Sequence, residues 1–192
     1  VEENKNKKIF LSPQKKYFTF FYASTPDCHK NFESLCEASR LLENEVGKGR
    51  FTVVLTVRGD ENKYASWLKK KWGEVESIDF AGFMSRERLY GYYQAADCLV
   101  FPSKVETWGL PISEFMETGK PMLLADLPYA HETSAGSECT AFFSATDVVE
   151  LKNEMKKILE GDWTSLKKIP LLTGEEPIAY TWKELFEKLV KE

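Results

Sequence analysis

The stretch "DCLVFPSKVETWGLPISEFMETGKPMLLAD", Asp97 to Asp126, spells out a strand, a loop, a helix and a second strand. Its outer runs, "DCLVFPS" (Asp97–Ser103) and "PMLLAD" (Pro121–Asp126), are almost continuously apolar. That is the pattern of strands covered on both faces of a parallel sheet. Between them, "PISEFMETG" reads as a helix opened by Pro111, where a missing N–H removes no hydrogen bond. Gly119, followed by Lys120 and Pro121, stops it. Two buried strands joined by one helix predict a right-handed βαβ crossover.

The same alternation runs outward in both directions. "YFTFFY" (Tyr17–Tyr22), "FTVVLTV" (Phe51–Val57), "SIDFAG" (Ser77–Gly82) and "TAFF" (Thr140–Phe143) read as further strands. "NFESLCEASRLLENE" (Asn31–Glu45) sets Phe32, Leu35, Cys36, Ala38, Leu41 and Leu42 on one helical stripe. Helical patterns recur in "ENKYASWLKKKW", "RERLYGYYQAA" and "DVVELKNEMKKILEG", and in the closing "AYTWKELFEKLVKE", where Trp182 is expected to anchor the last helix. The expected fold is α/β: a Rossmann-like, doubly wound parallel sheet of about six strands with helices on both faces.

Bulk composition narrows the function. With 192 residues, 43% hydrophobic and 29% charged, the chain reads as one globular domain over 1–192. A net charge of −4 argues against a nucleic-acid partner, which calls for a basic excess. Cys28, Cys36, Cys98 and Cys139 have neither metal-site spacing nor a disulfide-dense pattern, which suits a reducing, cytoplasmic setting. No apolar run has the length of a membrane span and no signal peptide is visible. The chain opens at Val1 with the linker-like "VEENKNKK", as expected of a piece of a longer protein.

In a doubly wound sheet, ligands bind at the carboxyl ends of the strands. The loops to inspect are therefore 23–31, 58–61, 82–86, 102–113 and 126–133. The loop 102–113 stands out, because Glu106 and Glu114 flank Gly109-Leu110-Pro111 with seven residues between them. Helix N-termini carry unpaired N–H groups and a partial positive charge suited to phosphate, and glycine permits close approach. Carboxylates beside an anion site make sense when they bind neutral hydroxyls, as on a sugar or a ribose diol. The pattern thus fits a diphosphate at the turn with a hydroxyl-rich ring on either side. The plainer reading places Glu114 in the first helical turn to complement the dipole, and leaves Glu106 solvated.

"ETWGLPISEFMETGKP" resembles the Glu-x7-Glu signature of the retaining GT-B glycosyltransferases, specifically family 4, the glycosyl transferases group 1. "HKNFESLCEA" is similar to that family's Lys-Asn-hydrophobic helix start, and "FAGFMSRERLYGYYQAADCLVFPS" to its Gly-Phe…Ala-Asp…Phe-Pro-Ser block. "GKPMLLADLPYAHET", "TAFFSATDVVEL" and "YTWKELFEKL" match the blocks that follow, so the resemblance spans most of the chain in order.

The resemblance implies one half of a GT-B fold, the donor-binding C-terminal domain, with an acceptor-binding domain expected before Val1. It implies a nucleotide-diphosphate sugar as donor, no cofactor and no metal, consistent with the lack of any Asp-x-Asp triplet in the sequence. Glu114 is implied to bind the ribose hydroxyls and Glu106 those of the transferred sugar. Lys30 is implied to neutralise the diphosphate, together with N–H groups around Gly109, Leu110 and Ile112. The backbone after Gly82, at Phe83 and Met84, is implied to meet the base. Transfer would pass through an oxocarbenium-like state whose departing diphosphate is stabilised electrostatically. The acceptor, a glycan, a lipid or a small molecule, would be held by the missing domain, as would any peripheral membrane attachment.

Two departures from the family pattern matter. Ser24 stands where an arginine is usual, so that Lys30 works with fewer partners or Arg58 or His29 supplies the charge. "VRGD" (Val57–Asp60) replaces the more usual Gly-x-Gly. Arg58 equally suits pairing with Asp60 or Glu61, Asp97 a cap at a strand, and His131 a loop or cap position. Tyr90, Tyr92, Tyr93 and Trp108 suit packing, with Trp108 also placed to line a sugar pocket. The competing functions are a degenerate, noncatalytic nucleotide-sugar-binding or assembly module, a GT-B-fold epimerase, and a phosphoacceptor receiver domain, which would need paired acids after its first strand.

Overall fold

A computed structural model describes residues 17–171 and 181–190. Its centre is one sheet of six strands: β1 (Phe18–Tyr22), β2 (Phe51–Leu55), β3 (Ile78–Phe80), β4 (Cys98–Phe101), β5 (Met122–Ala125) and β6 (Thr140–Phe143). All pairings are parallel and the order is β3-β2-β1-β4-β5-β6. This is the doubly wound arrangement expected from the alternating pattern.

The crossovers are α1 (Phe32–Val46), α2 (Lys63–Trp72), α3 (Arg86–Ala95), α4 (Leu110–Met116) and α5 (Pro128–Thr133), followed by α6 (Val148–Leu159) and α7 (Trp182–Leu189). Strand β1 shows how two helical layers arise. Its successive side chains point to opposite faces. Tyr22 meets Phe32 of α1, with ring centroids 4.6 Å apart, while Phe21 stacks on Tyr92 of α3 at 5.4 Å. Helix α1 packs beside α2 and α6 on its face, and α4 packs beside α5. Covered on both sides, Phe20, Phe21 and Tyr22 have no exposure, and β4 and β5 are buried along their length. Burial of each such side chain contributes roughly 1.5–3 kcal/mol.

Side chains start several helices. Asn62 accepts from Ala65 N–H, Ser85 from Arg88 N–H, and Asp147 from both Val149 and Glu150 N–H. Each such cap contributes about 1 kcal/mol. Asp97 caps the strand region as expected, accepting the Thr19 N–H at 2.9 Å.

Three expectations need correction. Residues 126–133, read as a loop, contain α5, which follows Pro128 and is too short to show a helical stripe. Helix α4 begins at Leu110, one residue before Pro111, which moves Glu114 out of the first turn. Helix α7 forms, but Trp182 does not anchor it: the indole is 76% exposed, and Phe186 and Leu189 beside it are exposed too. Among the described residues, no helix is long and apolar enough to cross a membrane.

Candidate active site at the sheet's switch point

Strands β1 and β4 are neighbours, with Phe20 beside Cys98 and Phe21 beside Leu99. From them the chain leaves toward opposite sheet edges, which opens a crevice at their carboxyl ends. The loops flanking it are 23–31 after β1 and 102–109 after β4.

Asn31 holds these loops together. It is fully buried and sits in the left-handed region at φ 58° and ψ 36°. Its amide donates to Pro102 C=O at 3.0 Å and to Ala145 C=O at 2.9 Å, while its oxygen accepts from Ser34 Oγ at 2.7 Å. One side chain therefore ties the loops that follow β1, β4 and β6. Sequence reading placed Asn31 only at a helix start; the available signal was that asparagine tolerates the left-handed conformation unusually well.

Further bonds fix each loop. Tyr22 hydroxyl donates to Lys30 C=O at 2.8 Å, and Lys104 N–H to His29 C=O at 2.8 Å. From α5, Tyr129 hydroxyl donates to Ser103 C=O at 2.6 Å and Thr133 hydroxyl to Trp108 C=O, gripping both ends of the loop that carries Glu106. Burial pushes the Tyr22 and Tyr129 phenols well above their ordinary range, and the nearby Glu106 charge acts in the same direction. Both hydroxyls remain protonated donors.

So anchored, Lys30 and Glu106 meet across the crevice. Lys30 Nζ lies 2.8 Å from Oε1 and 2.9 Å from Oε2 of Glu106, with the side chains only 15% and 10% exposed. Glu106 is thus not solvated. Glu114 is held from α3 instead: Tyr93 hydroxyl donates to Oε2 at 3.0 Å and Tyr90 hydroxyl to Oε1 at 3.3 Å, with an Arg86 guanidinium nitrogen 3.7 Å away. Burial, followed by the Glu114 charge, keeps the Tyr93 phenol protonated. Tyr90 and Tyr93 therefore orient a carboxylate as well as pack, a role sequence reading missed because it depends on α3 lying beside α4.

Gly109 has φ 85°, and a Cβ there would come within 3.2 Å of Ile112 Cδ1, so a side chain at this position would be strained. Among the described residues, the amides of Gly109 and Leu110 have no acceptor. Ile112 does not share that freedom. Its N–H donates to Gly109 C=O at 2.8 Å because the turn closes one residue earlier than expected, and its side chain is buried.

Arg58 is exposed and donates to Asp60 at 2.7 Å, which resolves its two candidate partners; Glu61 instead takes the backbone N–H groups of Arg58 and Gly59. Gly82, at φ 76°, has its Cβ position 3.2 Å from Arg58 Cβ, so the turns after β2 and β3 abut. Beyond it Phe83 is 84% exposed, whereas the Met84 side chain is buried in the core and offers only backbone. Ser24 is bonded through its backbone to Thr56 Oγ1, and His29 faces solvent. His131 lies in the last turn of α5 rather than in a loop, where it pairs with Asp126 at 2.6 Å and stacks on Phe142.

The loops after β1 and β4 thus bring a cation against one carboxylate, while a second carboxylate on α4 is held from α3. The family described as glycosyl transferases group 1 matches over residues 2–169. The chain is 32% identical over 107 residues to O-antigen chain mannosyltransferase B of Escherichia coli, covering 55% of this chain and 28% of that protein. It is 30% identical over 133 residues to the serotype-specific mannosyltransferase WbdA of Escherichia coli, covering 68% of this chain and 16% of that protein. Among solved structures it superposes on Anabaena Alr3699/HepE, in complex with UDP and glucose, with a TM-score of 0.63 and 20% identity, covering 78% of this chain and 41% of that one. The chain thus spans less than a third of these two curated relatives.

Proposed function

The chain belongs to the glycosyl transferases group 1 family, and from that premise we propose that it is the donor-binding part of a retaining, metal-independent glycosyltransferase. The observation that carries this reading is the nearly enclosed Lys30–Glu106 pair, at 2.8 and 2.9 Å, in the crevice between β1 and β4. A sugar nucleotide needs a cation for its diphosphate and carboxylates for its hydroxyls, and the crevice presents both. The solved relative from Anabaena carries UDP and glucose, which supports a donor of that class.

In this reading Lys30 and the amides of Gly109 and Leu110 receive the diphosphate. As the bond from the sugar's anomeric carbon to the phosphate oxygen breaks, negative charge grows on the departing diphosphate, and fixed donors stabilise it without reorganising. Glu106 holds hydroxyls of the sugar. Glu114, aimed by Tyr90 and Tyr93, holds the ribose diol. The base lies along the backbone of Phe83 and Met84. Arg58, engaged with Asp60, stands at the rim of the site. In this reading the acceptor, a glycan, a lipid or a small molecule, is held by a domain preceding this one.

Calorimetric titration with UDP, GDP and ADP tests the reading. One nucleotide should bind in preference to the others, and Glu114→Ala should weaken it by about tenfold or more, since an aligned carboxylate–diol contact is charge-assisted. Failure of all three to bind, or unchanged binding by Glu114→Ala, would overturn the donor site.

A further inference from the structure

The cation assigned above to the diphosphate pairs with the carboxylate assigned to the sugar. Lys30 Nζ contacts both oxygens of Glu106, and both side chains are largely withdrawn from water. Among the described residues, Lys30 is the only hydrogen-bond donor to Glu106. The Tyr22 and Tyr129 phenols, which feel that carboxylate's charge, donate elsewhere, Tyr22 to Lys30 C=O and Tyr129 to Ser103 C=O. Neither is free to replace the ammonium. Asn31, Tyr129 and Thr133 pin the backbone of the loops that bear the pair, which keeps its two residues facing each other.

Resting on the donor-site reading above, we propose that Glu106 is a specificity-determining residue that makes the site favour diphosphates bearing a sugar over diphosphates without one. A nucleotide sugar brings an anion for Lys30 and hydroxyl donors for Glu106 together, so both partners of the broken ion pair are satisfied again. A free nucleoside diphosphate brings only the anion. It draws Lys30 away and leaves a nearly enclosed carboxylate with no donor, beside a second negative charge. Removing one partner of a buried pair is far costlier than exchanging it, and like charges at close range in a low-dielectric crevice repel strongly. The same asymmetry speeds release of the nucleoside diphosphate once its sugar has been transferred. Glu106 thereby couples recognition of the sugar to discharge of the product.

The test compares binding of inorganic pyrophosphate, UDP, GDP and ADP, with the matching nucleotide sugars, to the unmodified protein, Glu106→Gln and Lys30→Ala. Glu106→Gln keeps the shape and removes the charge; Glu106→Ala is the second variant should the amide disturb the loop. The expected result is that the sugar-free diphosphates bind Glu106→Gln about tenfold more tightly or better, while the nucleotide sugar gains nothing, so that the preference for it collapses. Lys30→Ala should weaken every diphosphate. If Lys30→Ala weakens binding but neither Glu106 variant tightens it for sugar-free diphosphates, the donor site stands and the discriminating role of Glu106 is wrong. If no diphosphate binds any of the proteins, the donor-site reading itself falls, and this inference with it.

Discussion

Asn31 does the most structural work of any single side chain near the crevice. Its amide serves two carbonyls from loops remote in sequence, and its backbone occupies a conformation that costs a residue with a Cβ roughly 1–2 kcal/mol. Asn31→Ala should lower stability by about 2–4 kcal/mol, because a buried carbonyl and a part-buried one lose their donor. Asn31→Gly should recover about 1 kcal/mol of that loss, since glycine relieves the backbone but not the carbonyls. Urea midpoints of the three proteins measure both effects; equal losses would show that backbone conformation plays no part. At this scale the sequence singled out Glu106, Glu114 and Gly109 by type and spacing, and Lys30 through the family resemblance. It was illegible for Asn31, Tyr93, Tyr129 and Thr133, whose importance lies wholly in which groups tertiary contact places opposite them. Ile112 illustrates the same limit, since the pairing of its N–H with Gly109 depends on where the turn closes.

Among the elements, the seam between α1 and α2 titrates. Glu37 on α1 accepts from Arg40 at 2.5 and 3.1 Å and from Trp72 Nε1 of α2 at 3.0 Å. The Arg40 contact does most to hold its carboxyl down, from the ordinary 4.5 to about 2, against an opposing effect of burial. A carboxyl depressed in the folded state stabilises it above the unfolded value and loses that contribution as pH falls through the folded value. The loss therefore runs from about pH 4.5 down to about pH 2. Glu37→Gln should flatten the decline of the thermal midpoint across that window and leave the slope near neutrality unchanged; an identical acid limb would dismiss the pairing as a source of stability. Elements with long apolar stripes, such as α1 and α6, were readable from periodicity. Helix α5 was not, because six residues give no stripe, and it exists by virtue of Pro128 setting its first turn and of its packing beside α4.

For the molecule as a whole, stability resides in the six-stranded sheet and its two helical layers, and α7 stands apart from it. Trp182, Phe186, Leu189 and Val190 remain exposed, so the amphipathic face of α7 contributes little burial to the sheet-centred core. Ending the chain after Leu171 should accordingly shift the urea midpoint of the core by no more than the equivalent of about 0.5 kcal/mol. A larger drop would show that α7 is part of the folding unit. The amino-acid sequence by itself determined the fold class and the kind of chemistry to look for. Continuous apolar runs separated by helical stripes can be buried only in a parallel sheet covered on both faces, and a Gly-Leu-Pro turn between two glutamates needs no neighbours to be recognised. Tertiary structure alone decided the contacts at the candidate site: that Lys30 and Glu106 pair, that Glu114 is held by tyrosines from α3, and that α5 grips the loop carrying Glu106. Those are contacts across the β1–β4 junction and between adjacent helices, made by residues up to 76 positions apart in the chain, and spacing along a sequence carries no information about such distances until the sheet order brings its loops together.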